Sequence, residues 1–72
     1  MTANEDLAAL GRAIRHHRKA LGISQEELAD RAGLHRNYVG LLERGERNPS
    51  YTTVCAVARA LGISAPEVLV WL

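Results

Sequence analysis

The stretch from Gln25 to Arg44, QEELADRAGLHRNYVGLLER, most constrains what this chain can fold into. Leu28, Ala29 and Ala32 recur at helical spacing and share one face of a short helix, while Leu34, Val39 and Leu42 face inward from a second. Gly33 stands between them, where a sharp turn needs a residue that takes positive φ without steric cost. Ala29 is small at the point where the second helix must cross closely. The pattern predicts two helices held at a steep angle by one tight turn.

The 72 residues make one domain, residues 1–72, with a thin core, because a chain of this size buries only about 60% of the surface its unfolded form exposes. Association with a second copy adds to that core. A hydrophobic fraction of 47% is ample for a globular domain and excludes disorder. Cys55 is the only cysteine, so no internal disulfide forms, which fits a reducing cytoplasm. No apolar run approaches the roughly 18–20 residues of a membrane span, and the acidic, polar start MTANED is no signal peptide. The expectation is a cytoplasmic protein with no membrane partner. The net charge of +1 says little about nucleic acid, but its distribution says more. Glu26, Glu27 and Asp30 cluster on the first helix of the pair, whereas Arg36, Arg44 and Arg47 lie in or just after the second. A local basic face binds phosphate even when the whole chain is balanced.

A long helix is predicted from Asn4 or Glu5 to Ala20, capped by Thr2 or Asn4, with Leu7, Leu10, Ile14 and Leu21 as its apolar stripe. His17 falls on that stripe and reads as a core-edge histidine. Adjacent residues on a helix point about 100° apart, so His16 and His17 cannot easily share a metal ion. Gly22 ends this helix, and Ser24 with Glu27 has the spacing of a capping box for the next. The third helix is predicted from His35 to Glu43 or Arg44. Arg36, Asn37, Gly40, Leu41 and Arg44 then share one face, opposite Val39 and Leu42. Arg36 and Asn37 carry side chains that fit guanine and adenine edges, and Leu41 either touches a thymine methyl or is an ordinary exposed leucine. Tyr38 lies on the flank, with a hydroxyl able to reach a phosphate. Gly40 costs a helix interior about 1 kcal/mol relative to alanine, which points to close approach by DNA or a neighbouring helix. The free amides at Ser24 and Gln25 attract anions. Ser50 caps a fourth helix to Leu61, in which Cys55 reads as a small buried hydrophobe. Ser64 and Glu67 form a second capping box, and a fifth helix runs to the end of the chain. Its residues Val68 to Leu72 are apolar all round, more than one small core can bury.

Gln25, Ala29, Gly33 and Val39, at the first, fifth, ninth and fifteenth positions of the stretch, resemble the helix-turn-helix of phage repressors and Cro proteins (the Xre type). The resemblance covers nearly the whole chain. It implies an all-α, five-helix bundle of the lambda-repressor kind whose third helix lies in the DNA major groove. NYVGLLERGERNPS looks most like the controller proteins of bacterial restriction–modification systems, which are small, stand-alone and dimeric. By that resemblance Arg44, Arg47 and Asn48 hold the DNA backbone and Gln25 contacts a phosphate. Matching residues in the repressors also imply an ion pair between Arg18 and Glu43 inside the domain.

These features together predict a sequence-specific transcriptional regulator that binds double-stranded DNA as a homodimer on a palindromic operator. Arg36, Asn37 and Leu41 read bases; Ser24, Gln25, Tyr38, Arg44, Arg47 and Asn48 hold phosphates. Residues 52–72 are expected to form the dimer interface, with Val68, Trp71 and Leu72 as contacts. The alternative is an antitoxin or other protein-interaction module, with the apolar C-terminus as the partner surface. An enzyme is not expected: there is no zinc-binding Cys/His spacing, no glycine-rich phosphate loop and no acid–base pair among the histidines. No cofactor, metal or small-molecule ligand is expected either.

Overall fold

In the computed structural model, which describes residues 2–70, every helix begins where a polar side chain accepts a first-turn N–H that would otherwise lack a partner. Thr2 Oγ1 accepts from Glu5 N at 3.2 Å and opens α1 (Ala3–Ala20). Ser24 Oγ accepts from Glu27 N at 3.0 Å and opens α2 (Gln25–Ala32). His35 Nδ1 accepts from Asn37 N at 3.2 Å, so His35 caps α3 (Arg36–Glu43) instead of forming its first turn. Ser50 Oγ accepts from Thr53 N at 3.2 Å and opens α4 (Tyr51–Leu61). Ser64 Oγ accepts from Glu67 N at 3.4 Å and opens α5 (Ala65–Leu69).

The two predicted capping boxes differ. Glu67 reaches back to Ser64 N at 3.0 Å and completes the box at α5. Glu27 does not reach back; its carboxylate pairs instead with Arg31 one turn on, at 3.1 Å. Between α2 and α3 the chain turns at Gly33, with φ of 71°, and Leu34 N closes the turn on Ala29 O at 2.9 Å.

The architecture is all-α, and each helix gives the core at least one wholly buried side chain: Ile14, Leu28, Val39 with Leu42, Val57 and Val68 in turn. α1 packs on α3, α2 packs on both α3 and α4, and α5 closes against α4 and α1. Leu10 and Ile14 lie on the buried side of α1 as predicted, and Leu7 is half-buried. Leu21 departs from the prediction and is 47% exposed: it still donates its N–H to His17 O at 3.2 Å, and the chain turns away only at Gly22, with φ of 71°. His17 is half-buried, and its ring meets that of His16 edge-on at 5.2 Å. Cys55 is half-buried rather than buried.

α5 is shorter than predicted. It ends at Leu69, and Val70 serves as its cap with 77% of its surface exposed. Val68 was expected on a partner-facing surface, but it is 0% exposed and packed into its own core, so it has nothing to offer a second copy. Trp71 and Leu72, the other two expected contacts, lie outside the described residues.

One feature of the packing has no periodic signal. α1 crosses α3 at Gly11, where an added Cβ would stand 2.5 Å from the carbonyl oxygens of both Leu42 and Glu43. These are backbone atoms, which cannot give way as a side-chain tip would. Gly11→Ala gains helix propensity, roughly 1 kcal/mol, but must push two helices apart. Overpacking of that kind costs about 1–3 kcal/mol, and the clash with rigid backbone should dominate. The variant is expected to melt several degrees below the parent by circular dichroism; an unchanged or higher melting temperature would contradict this crossing.

Candidate nucleic-acid interface

The site is built outward from a buried ion pair. Arg18, near the end of α1, donates from Nε to Glu43 Oε2 at 2.6 Å and from Nη2 to Glu43 Oε1 at 3.0 Å. Its remaining terminal nitrogen, Nη1, donates to Ile23 O at 2.9 Å in the loop before α2. The Glu43 side chain is 2% exposed and that of Arg18 11%. The hydrogen bonds to Glu43 hold the Arg18 guanidinium even further above the usual arginine range. A fork-to-fork pair of this kind fixes orientation as well as charge. It sets the last turn of α3 against α1 and locks the entry to α2.

Glu43 has a further partner. Gln25 Nε2, on the first residue of α2, donates to Glu43 Oε1 at 3.0 Å. Gly40 lies one turn before Glu43, beside this contact. A Cβ there would lie 3.5 Å from Gln25 Oε1 and 3.3 Å from Arg44 Nη1. Only the Arg44 side chain comes tighter than ordinary contact, so the close approach inferred from a glycine in mid-helix is to that flexible tip alone.

Ser24, Gln25 and Glu26 from the start of α2 face Arg36, Asn37, Gly40, Leu41 and Arg44 of α3 and its end across one open concavity of about 770 Å³. Arg36 and Asn37 are exposed on its rim, and Leu41 is half-buried. Each arginine of this surface is engaged by a carboxylate: Arg36 Nη1 with Glu26 Oε2 at 3.3 Å, and Arg44 Nε with Glu46 Oε2 at 2.9 Å. All four side chains are more than half exposed. Exposed pairs are worth only ~0–1 kcal/mol, so both arginines can exchange a carboxylate for another anion or acceptor at little cost.

Arg47 and Asn48 are exposed in the segment after α3, and Arg47 Nη1 donates to the neighbouring Glu46 O at 3.0 Å. The structure brings the remaining predicted residues together unevenly. Tyr38 is half-buried, packs against the core and does not line the concavity. Glu26 and Glu46, which hold the two arginines, carry no signal in the sequence, because each pairing depends on how helix ends are placed.

The helix-turn-helix family profile matches residues 14–68. The chain belongs to the helix-turn-helix family. It is a regulator of the helix-turn-helix type, with restriction–modification controllers among its relatives. The control protein C.SmaI of Serratia marcescens is 43% identical over 60 residues, 83% of this chain and 71% of that protein. The restriction–modification controller protein C.AhdI of Aeromonas hydrophila superposes with a TM-score of 0.87 at 45% identity, covering 89% of this chain and 97% of that one. The controller C.Esp1396I, solved as a tetramer in complex with its natural 35 base-pair operator, superposes with a TM-score of 0.81 at 28% identity, covering 89% and 88%. In this helix-turn-helix, α2 and α3 are the two helices and Gly33 is the turn. Among the described residues no helix is long and apolar enough to cross a membrane.

The ion pair beneath the surface has a direct test in stability. Glu43→Gln leaves the Arg18 charge buried without its counter-charge, a change that typically costs about 3–5 kcal/mol. A small domain loses roughly 4–8 °C of melting temperature per kcal/mol, so the variant is expected to melt well over 10 °C below the parent. An unchanged melting temperature in a thermal scan would mean that the pair contributes nothing to the fold.

Proposed function

We propose that this protein is a sequence-specific DNA-binding regulator of transcription that acts as a homodimer on a palindromic operator, in the manner of a restriction–modification controller. The observation that carries this reading is the single concave surface on which the α2 N-terminus and the outer face of α3 meet. α3 enters the major groove. Arg36, Asn37 and Leu41 meet base edges there, with the arginine fork suited to guanine O6 and N7 and the asparagine amide to adenine N6 and N7. Ser24 and Gln25 at the α2 N-terminus take one phosphate, where free amides and the helix dipole favour an anion. Arg44, Arg47 and Asn48 take phosphates on the other side of the reading helix and fix its register. Tyr38, half-buried with its ring against the core, contributes its hydroxyl.

The dimer is assigned from exposed apolar residues in the C-terminal part of the chain. Tyr51 on α4 and Val70 at the end of α5 are large exposed hydrophobics, 70% and 77% exposed. Trp71 and Leu72 continue the apolar run from Val68. Residues 52–72, with Tyr51 adjoining them, supply the partner surface, through Trp71 and Leu72 but without Val68. Two copies joined there present reading helices to successive half-sites about 34 Å apart. Such a regulator works in the cytoplasm, where it meets DNA.

Arg36 and Arg47 separate reading from holding, since bulk charge cannot distinguish two arginines. Arg36→Ala is expected to cost about 1–3 kcal/mol at one base pair per half-site and to relax the preference there. Arg47→Ala is expected to weaken binding to all sequences alike and to flatten the slope of log K against log salt by about one unit per half-site. Both variants would be titrated against a selected operator, its single-base variants and random DNA across a salt series. Equal losses on every sequence for both would remove Arg36 from the bases, and a changed base preference in Arg47→Ala would overturn the placement of α3.

A further inference from the structure

The buried carboxylate of Glu43 faces two ways. It accepts two N–H groups of Arg18 at 2.6 and 3.0 Å on the core side, and Gln25 Nε2 at 3.0 Å on the side of the concavity. A carboxylate paired with an arginine can only accept, so the amino end of the Gln25 amide must be the end turned inward. This chemistry decides which way the amide lies. The glutamine is thus held from beneath by a group that is itself immobilised in the core. Gly40 lies beside it, and a Cβ there would meet the amide at ordinary contact distance, 3.5 Å from Oε1 and 3.9 Å from Nε2. No other hydrogen bond of that amide falls among the described residues, which leaves Oε1 and a second N–H for a ligand.

We propose that Glu43 is a positioning residue for DNA binding: it presents the Gln25 amide, already ordered, to the DNA backbone. The proposal rests on the DNA-binding function above and assigns Glu43 a role beyond its ion pair. A glutamine at an open helix end samples several rotamers and must be ordered on binding. One tied to a buried carboxylate is ordered beforehand, so its contact adds more to affinity.

A double-mutant cycle tests this. Arg18→Met with Glu43→Leu replaces the ion pair by apolar side chains of similar volume, an exchange that is often neutral or stabilising. The fold is kept while the acceptor for Gln25 is removed. Gln25→Ala is made in the parent and in this background, and each variant is titrated with an operator selected by the parent and with unrelated DNA, alongside its melting temperature. In the parent, Gln25→Ala is expected to weaken operator binding about five- to tenfold, as for one hydrogen bond. The Met/Leu variant should lose a similar factor without melting lower, and adding Gln25→Ala to it should change nothing further. If Gln25→Ala cost the same factor in both backgrounds, Glu43 would be purely structural. Should the Met/Leu variant fail to fold, side-chain amide ¹⁵N relaxation of Gln25 in the DNA-free parent decides. A rigid amide supports the tie, and one as mobile as an exposed glutamine overturns it. A parent that selected no DNA site would refute the DNA-binding function itself, whereas tight operator binding with an additive cycle would refute only the positioning role.

Discussion

A carboxylate buried at the junction of three helices is the constraint on which the rest of the structure depends. Desolvating a charge costs several kcal/mol, and the cost is recovered only with good geometry and with every lone pair engaged. Glu43 engages three of its roughly four lone-pair sites by accepting N–H groups from two elements, while the third nitrogen of the Arg18 guanidinium donates to the Ile23 carbonyl. The network joins the end of α1, the loop into α2, the first residue of α2 and the last residue of α3. These are the pieces whose relative placement sets the angle between the two helices of the motif. Gly11 completes the joint by letting the α1 backbone lie against the α3 carbonyls. Apolar packing holds the helices together, and this polar network ties their ends to one another.

The same joint shapes the outer surface. The chain is nearly neutral, so attraction to DNA must come from a local arrangement. The arginines of the concavity are met by Glu26 and Glu46, each contributed by a neighbouring helix end or turn. On the proposed reading, these carboxylates hold the places that a phosphate or base acceptor would take in the complex. They cost little to displace, and they hold the arginine forks near the surface where those forks would act. Under the proposed function, the carboxylates would also lower the net attraction for arbitrary DNA and so favour sites that supply base contacts as well as charge.

The centre of the motif was legible because its signals are local. Leu28, Ala29, Val39 and Leu42 fall at helical spacing, and only a residue at ease with positive φ fits position 33. The shared face of Arg36, Asn37, Gly40, Leu41 and Arg44 follows from the same periodicity. What escaped is tertiary or marginal. Gly11 sits inside a long helix where nothing in the pattern marks a crossing. Leu21 continues the α1 stripe, but at the helix end it stays half exposed. In α5, Val68, Leu69 and Val70 are alike in type, so the sequence could not say which faces inward, and only packing against α1 and α4 turned Val68 into the core. Glu27 had the spacing of a capping partner, yet Arg31 lay one turn on and took it. The resemblance pointed to the Arg18–Glu43 pair, but the third contact, from Gln25, emerges only when the two helix ends are seen side by side.

Selection of bound sites from a random pool of duplex DNA tests the central claim most directly. The expected product is a family of sequences with two-fold symmetry, whose half-sites are centred about one helical turn apart, roughly 34 Å. An enriched guanine or adenine in each half-site would match the Arg36 and Asn37 side chains. A pool that stays random after repeated rounds, while the protein remains folded, would contradict sequence-specific binding. Enrichment of a single, unrepeated half-site would contradict the homodimer.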